Sequence, residues 1–241
     1  MLPYHHTNSK HSSCSQPHME HVNVSTKSEI PKVFLDSNIY LHKTKIPHEH
    51  VWERLLPSTF SPSSFGENAS VIFTDIDVGV SELIRKSNLF PTEDSIEYYD
   101  TVEYLKECFQ QFVSLSPNKK YSVKIEPTRG QKGKKCPKWH ADYVPLRLIL
   151  ALHGPGVNYA SLISNEYKKY WKACNRLGSD RANGIMEKES SDKIQRFDTG
   201  DCVILMGKKW QNCCNAAAIH RSPDVRPFQG RVLMTIDVDE D

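Results

Sequence analysis

His140 and Asp142 stand two residues apart in the stretch Cys136-Pro137-Lys138-Trp139-His140-Ala141-Asp142. In an extended segment, residues two apart point to the same side. An imidazole and a carboxylate on one side, joined by a second imidazole, make the facial triad that holds non-haem Fe(II) and leaves coordination positions open. The chain offers that second imidazole at His220, and Arg231 follows eleven residues later. The chemistry to test is therefore an iron-dependent oxygenase site on a β-barrel. A His-x-Asp arises often by chance, so the surrounding elements must decide.

Such a site takes a bidentate 2-oxo acid, then O2, opposite the protein ligands. The distal carboxylate of 2-oxoglutarate needs a cation. A guanidinium suits it, with two parallel donors and a permanent charge. Arg231 is the expected anchor, with Ser222 able to add a hydroxyl; Arg147, on the strand after the His-x-Asp, is its rival.

Two other chemistries compete. Cys136, His140, Cys213 and Cys214 are all zinc-type ligands, although adjacent cysteines chelate a tetrahedral ion awkwardly. The strand Val71 to Asp77 ends in Asp75-x-Asp77, similar to the nucleophile motif of haloacid-dehalogenase-type phosphatases. No suitably placed lysine or later acidic pair follows, so both acids read as helix-capping residues.

The elements that must position these residues follow from periodicity. Val51 to Leu56 reads as a buried strand or short helix, and 58–70 as a Ser/Pro/Gly loop. Val71 to Asp77 enters a helix through Leu83 and Ile84. Thr92 to Ser95 supply caps and acids for a helix over Pro91 to Phe112, with Ile96, Tyr99, Val102, Leu105, Phe109 and Phe112 on its packed face. From Tyr121 the period becomes two: Tyr121, Val123 and Ile125 alternate with polar residues. Trp139 to Asp142 is expected as a strand or strand end. Leu146, Leu148, Leu150 and Leu152 line one side of the next strand, which stops at Gly154-Pro155-Gly156. Cys202 to Met206, Ala218 to Pro223 and Gly230 to Val238 complete the strands. Short strands between Gly/Pro turns, with metal-type residues at their ends, suit a double-stranded β-helix of jelly-roll or cupin type. The fold class is thus α+β, mainly β: residues 31–118 form an N-terminal helical layer and 119–241 the barrel, interrupted by a lysine-rich insertion at 157–198 over its mouth.

Residues 1–30 are polar and hold five of the eleven histidines (His5, His6, His11, His18 and His21); irregular spacing marks a disordered leader rather than a metal-collecting tail. The run Val33-Phe34-Leu35 opens the ordered chain. Arg129, Lys132, Lys134 and Lys135 form a basic loop that is either solvated or steers an anionic substrate. The net charge is only +2, which gives no strong nucleic-acid signal. Seven scattered cysteines without a Cys-x-x-Cys pair, and no apolar leader or membrane-length run, predict a reducing, cytoplasmic setting.

Several blocks together resemble a known family. Cys136 to Leu148, Gly154-Pro155-Gly156, Gly200-Asp201, His220-Arg221-Ser222-Pro223 and Arg231 to Asp237 look like the domain-of-unknown-function family numbered 1826, and Val51 to Arg54 like its upstream Trp-x-Arg element. The family's His-x-Asp, distal His and following Arg are in turn similar to the 2-oxoglutarate/Fe(II)-dependent dioxygenase superfamily. That resemblance implies Fe(II) on His140, Asp142 and His220, 2-oxoglutarate on Arg231, and hydroxylation or demethylation of a substrate the sequence does not name. The alternative is a non-catalytic, cupin-like metal binder in metal homeostasis or sensing.

Overall fold

A computed structural model of the chain describes residues 39–57, 63–117, 119–130, 136–162, 164–210 and 217–239. The leader at 1–30, the run at 33–35, Lys132, Lys134, Lys135, Cys213 and Cys214 lie outside them.

Strand β1 (Ile39–Lys43) leads to a 3-10 helix, Glu49–Leu55, whose Val51 and Trp52 are wholly buried. Strands β2 (Ser63–Phe65) and β3 (Ala69–Phe73) follow, so the stretch expected as a loop over 58–70 contributes paired backbone. Helix α1 (Ile76–Ser87) starts at Asp75, whose carboxylate accepts from the Val78 N–H at 3.0 Å. Helix α2 (Ile96–Leu115) starts at Ser95 in the same way, with the Tyr98 N–H donating at 3.1 Å. It begins five residues later than the expected Pro91. Ile96 and Tyr99 are exposed, because the packed stripe runs through Val102, Leu105, Cys108, Phe109 and Phe112.

The remaining elements are β4 (Lys120–Gly130), β5 (Leu146–His153), β6 (Asn158–Ala160), α3 (Ser164–Leu177), α4 (Ser179–Glu189), β7 (Ile194–Arg196), β8 (Asp201–Met206), β9 (His220–Arg221) and β10 (Gly230–Asp239). The larger sheet is antiparallel in the order β1-β8-β5-β10-β4-β2, with β3 also on β4; the smaller runs β7-β6-β9. The expected barrel is thus two antiparallel sheets, with no closed barrel among the described residues. The ends of the lysine-rich segment are β6 and β7, which pair with each other and, through β6, with β9 that carries His220.

The period-two pattern gives the larger sheet two different faces. Val123 and Ile125 of β4, Leu146, Leu148, Leu150 and Leu152 of β5, and Val232, Met234 and Ile236 of β10 pack with α1, α2 and the 3-10 helix in the main core. The alternate residues look toward the smaller sheet, where Ile149, Val203 and Leu205 meet Val157, Tyr159 and Phe197. Beyond the smaller sheet, α3 and α4 bury Tyr167, Tyr170, Ala182 and Met186 against Trp139, Ala160 and Ile219. Helices thus cover the outer side of both sheets, and the gap between the sheets holds the candidate site. Among the described residues no helix is long and apolar enough to cross a membrane.

Candidate metal centre

His140, expected in a strand or strand end, lies in a single-residue antiparallel bridge with His220. The two residues exchange backbone hydrogen bonds, His140 N–H to His220 O at 3.0 Å and His220 N–H to His140 O at 2.9 Å. Two positions distant in sequence are thereby locked side by side. The pairing continues with the Ser222 N–H on the Cys136 carbonyl at 2.8 Å. From behind, the Tyr170 hydroxyl donates to the Trp139 carbonyl at 2.8 Å and the Trp139 indole N–H to Glu187 at 3.0 Å, so α3 and α4 pin the residue next to His140.

Asp142 is held from the other side. Its carbonyl accepts from the Lys208 N–H at 2.9 Å in the turn after β8. That turn opens at Gly207, where an added Cβ would lie 1.9 Å from the Val144 carbonyl oxygen, so only glycine permits the approach.

The three side chains converge, with ligand atoms of His140, Asp142 and His220 all within 4.8 Å of one another. His140 Nε2 lies 3.4 Å from Asp142 Oδ1 and His220 Nε2 3.2 Å from Asp142 Oδ2. The far nitrogens face backbone carbonyls, His140 Nδ1 that of Lys138 at 2.9 Å and His220 Nδ1 that of Ala218 at 3.4 Å. Donation from Nδ1 to a carbonyl fixes the tautomer whose Nε2 lone pair can bind a metal. Asp142 Oδ2 is buried and accepts no well-aligned hydrogen bond, although the Arg147 guanidinium and the His220 imidazole flank it. A borderline two-imidazole, one-carboxylate set with an unfilled carboxylate lone pair fits a divalent transition metal.

Arg147 organises the carboxylate. Its guanidinium makes a two-pronged pair with Asp237 at 2.6 Å on both arms, and its remaining Nη1 lies 3.0 Å from Asp142 Oδ2. Arg147 and Asp237 face each other in the β5–β10 register. Burial works against the Asp142 carboxylate, but the imidazoles of His140 and His220 and the Arg147 charge hold its pKa well below the usual range. For His140, burial alone would lower the pKa. Hydrogen bonding to Asp142 and Cys136, then to the Lys138 carbonyl, outweighs it and carries the value up to about 10. The proton on this imidazole occupies the place a metal would take.

A cavity of about 120 Å³ adjoins the ligands, and His140, His220, Arg147, Ser222, Arg231 and Thr235 are among its walls. Arg231 is 3% exposed, and burial lowers its pKa to about 10. Its Nε donates to the Pro155 carbonyl at 2.8 Å and its Nη2 to the Gly156 carbonyl at 3.0 Å. The Gly154-Pro155-Gly156 turn therefore aims the guanidinium; its first glycine has φ +71°, a conformation that disfavours any side chain. Ser222 is buried and accepts from the Cys136 N–H at 3.4 Å.

The structure thus gathers all six residues singled out in the sequence around one site. It adds Asp237, which sequence reasoning missed. Its only signal was an acid on the polar side of β10, shared with Asp239 and meaningful once the register sets Asp237 opposite Arg147. Of the zinc alternative, Cys136 sits against His140, which lowers its thiol pKa. Of the phosphatase alternative, Asp75 is a cap and Asp77 an exposed partner of Lys106 at 2.8 Å.

A family described as "Protein of unknown function (DUF1826)" matches residues 52–237. The chain belongs to this family. No curated protein matches this DUF1826 member. Among solved structures, it is similar to the dioxygenase for auxin oxidation 1 from Arabidopsis thaliana in its 2-oxoglutarate complex, at 9% identity and TM-score 0.44, over 88% of this chain and 87% of that one. The rice dioxygenase for auxin oxidation gives 12% identity and TM-score 0.46, over 84% and 73%. EvdO2 from Micromonospora carbonacea var. aurantiaca with 2-oxoglutarate gives 11% and 0.42, over 91% and 93%. At these low scores, the chemistry of this DUF1826 protein rests on its own residues.

Proposed function

We propose that this DUF1826 protein is a non-haem Fe(II)/2-oxoglutarate-dependent oxygenase that hydroxylates or demethylates its substrate, built on an open double-stranded β-helix. The observation that carries this reading is the coincidence of two built features in one cavity. A His140/Asp142/His220 set converges at one place. A buried guanidinium, Arg231, fixed by two carbonyls, shares the cavity with both imidazoles. A metal store needs only the first. The second answers an anion, and a carboxylate meeting a desolvated guanidinium gains far more than it would in water.

In this reading His140 and His220 hold the iron through Nε2 and Asp142 through its carboxylate. Arg147 takes up charge on one Asp142 oxygen and keeps the carboxylate from turning away. Arg231, helped by the Ser222 hydroxyl, binds the distal carboxylate of the oxo acid. Ile149, Val157 and Leu233, apolar walls of the same cavity, exclude water. Bound iron and 2-oxoglutarate would supply the oxidation itself.

The test is succinate formation by the purified chain with Fe(II), 2-oxoglutarate and O2. We expect succinate, abolished in His140→Ala. Iron bound at the site without any succinate would overturn the oxygenase and leave the non-catalytic metal binder.

A further inference from the structure

The cavity of about 120 Å³ is well below the ~300–1,000 Å³ of sites that enclose a drug-sized ligand. Once an oxo acid occupies it, little room is left for a second molecule. A substrate of any size must then be recognised on the surface around Asp142.

That surface is basic and aromatic. Tyr143, directly after the ligand Asp142, is 75% exposed. Lys208 and Lys209 sit in the turn bonded to the Asp142 and Val144 carbonyls. The Lys209 ammonium lies 5.1 Å from the centre of the Tyr143 ring, and that of Lys208 4.6 Å from the centre of the Trp171 ring. Trp171 belongs to α3, where exposed Lys168, Lys172 and Arg176 recur every fourth residue, one per ~6 Å of helix. Most acids of this region have partners: Glu166, the one acid of α3, pairs with Lys193, Glu187 with Arg221 and Asp180 with Lys138, while Glu189 at the end of α4 is exposed. A track of cations with two rings, the half-buried Trp171 and the exposed Tyr143, thus runs along α3 to the turn bonded to the Asp142 carbonyl, in a protein whose net charge is only +2.

We propose that this track binds single-stranded nucleic acid and presents one of its bases at the cavity mouth; this rests on the oxygenase reading and names its substrate class. Cations for phosphates, interleaved with rings for bases, are what an unpaired strand requires. An exposed cation–π contact is worth about 0.5–1 kcal/mol, and stacking a base on an aromatic ring about 1–3 kcal/mol. Lys208 and Lys209 can therefore give up the rings to bases and turn to phosphates with a net gain. An acidic peptide would use the charges and leave the rings idle. A bilayer would use both, but a flat surface cannot bring one unit to the cavity mouth as a single strand can splay out one base.

The test is fluorescence anisotropy with short labelled single-stranded DNA and RNA on the full chain without added metal. Polyglutamate and phosphatidylserine vesicles are the competing arms. We expect a strand to bind more tightly than either, with affinity falling as salt rises. Lys168→Glu, Lys172→Glu and Lys208→Glu together, all exposed, should weaken binding at least about tenfold without lowering the melting temperature. Trp171→Ala should weaken it by the loss of one stacked base, about 5–150-fold. Absence of strand binding, tighter binding to polyglutamate or vesicles, or an unaffected triple variant would overturn the proposal. Succinate formation without strand binding sinks this inference alone. Strand binding without succinate sinks the oxygenase and leaves only a nucleic-acid surface.

Discussion

The two faces of β4, β5 and β10 share a backbone and nothing else. Toward α1 and α2 they present Val123, Leu148, Leu150, Met234 and Ile236, each fully buried among apolar neighbours. Toward the smaller sheet the intervening positions present Thr128, Arg147, Arg231, Thr235 and Asp237. The first face holds the fold by excluding water. The second must meet every buried charge with a partner, because burial without one is costly. It does so through the Arg147–Asp237 pair, the carbonyls on Arg231 and the carbonyls on both imidazoles. Main-core stability and site chemistry therefore alternate along each strand, with Ile149 and Leu233 as apolar members of the site face, and substitutions on either side test the division.

The largest expected effect is on the apolar face. Leu148→Ala should cost about 2–5 kcal/mol, read as a lower denaturation midpoint. At temperatures where the variant is folded, metal should still bind at wild-type affinity. Lost affinity in a folded Leu148→Ala protein would show that the faces are not independent.

On the polar face, pH gives the next effect. The folded pKa of His140, about 10, lies above its ordinary 6.5. In the metal-free protein this imidazole therefore contributes stability that is fully present below pH 6.5 and is lost as pH rises through about 10. A metal must displace its proton, so affinity should rise about tenfold per pH unit across that window. Titration with a redox-stable divalent ion at several pH values checks the slope; a flat profile across this window would mean that the imidazole holds no proton there for the metal to displace.

Asp237→Asn releases one side of Arg147 and should loosen Asp142, lowering metal affinity about tenfold. The melting temperature should fall less than in Leu148→Ala. The smallest effect lies outside both faces: Asp75→Ala removes the α1 cap, costs about 1 kcal/mol, and should leave metal binding untouched.

Much of this division was legible in the sequence, because alternation itself encodes it. Leu146 to Leu152 and Val232 to Ile236 announce a buried face, and the residues between them are necessarily on the other. The His140-x-Asp142 spacing gave the same-side placement, but not the single-residue bridge that brings His220 alongside. That bridge depends on pairing between two irregular segments, and no local period signals it. Residues 58–70 read as a loop because Ser, Pro and Gly mask two short strands that form only by joining β4. Ile96 and Tyr99 match the helical period of α2 yet are exposed, because its first turn projects beyond the packed stripe. Asp237 was invisible as a site residue until the register of β5 and β10 placed it opposite Arg147.

The most direct test of the shared cavity is an anaerobic titration of the Fe(II)-loaded protein with 2-oxoglutarate, followed by the visible charge-transfer band of the chelate. The account predicts a saturable band in the wild type, and in Arg231→Gln a band that needs about 10–100-fold more oxo acid, as expected for a lost charged hydrogen-bond partner. No band with iron bound, or an Arg231→Gln titration identical to wild type, would contradict it.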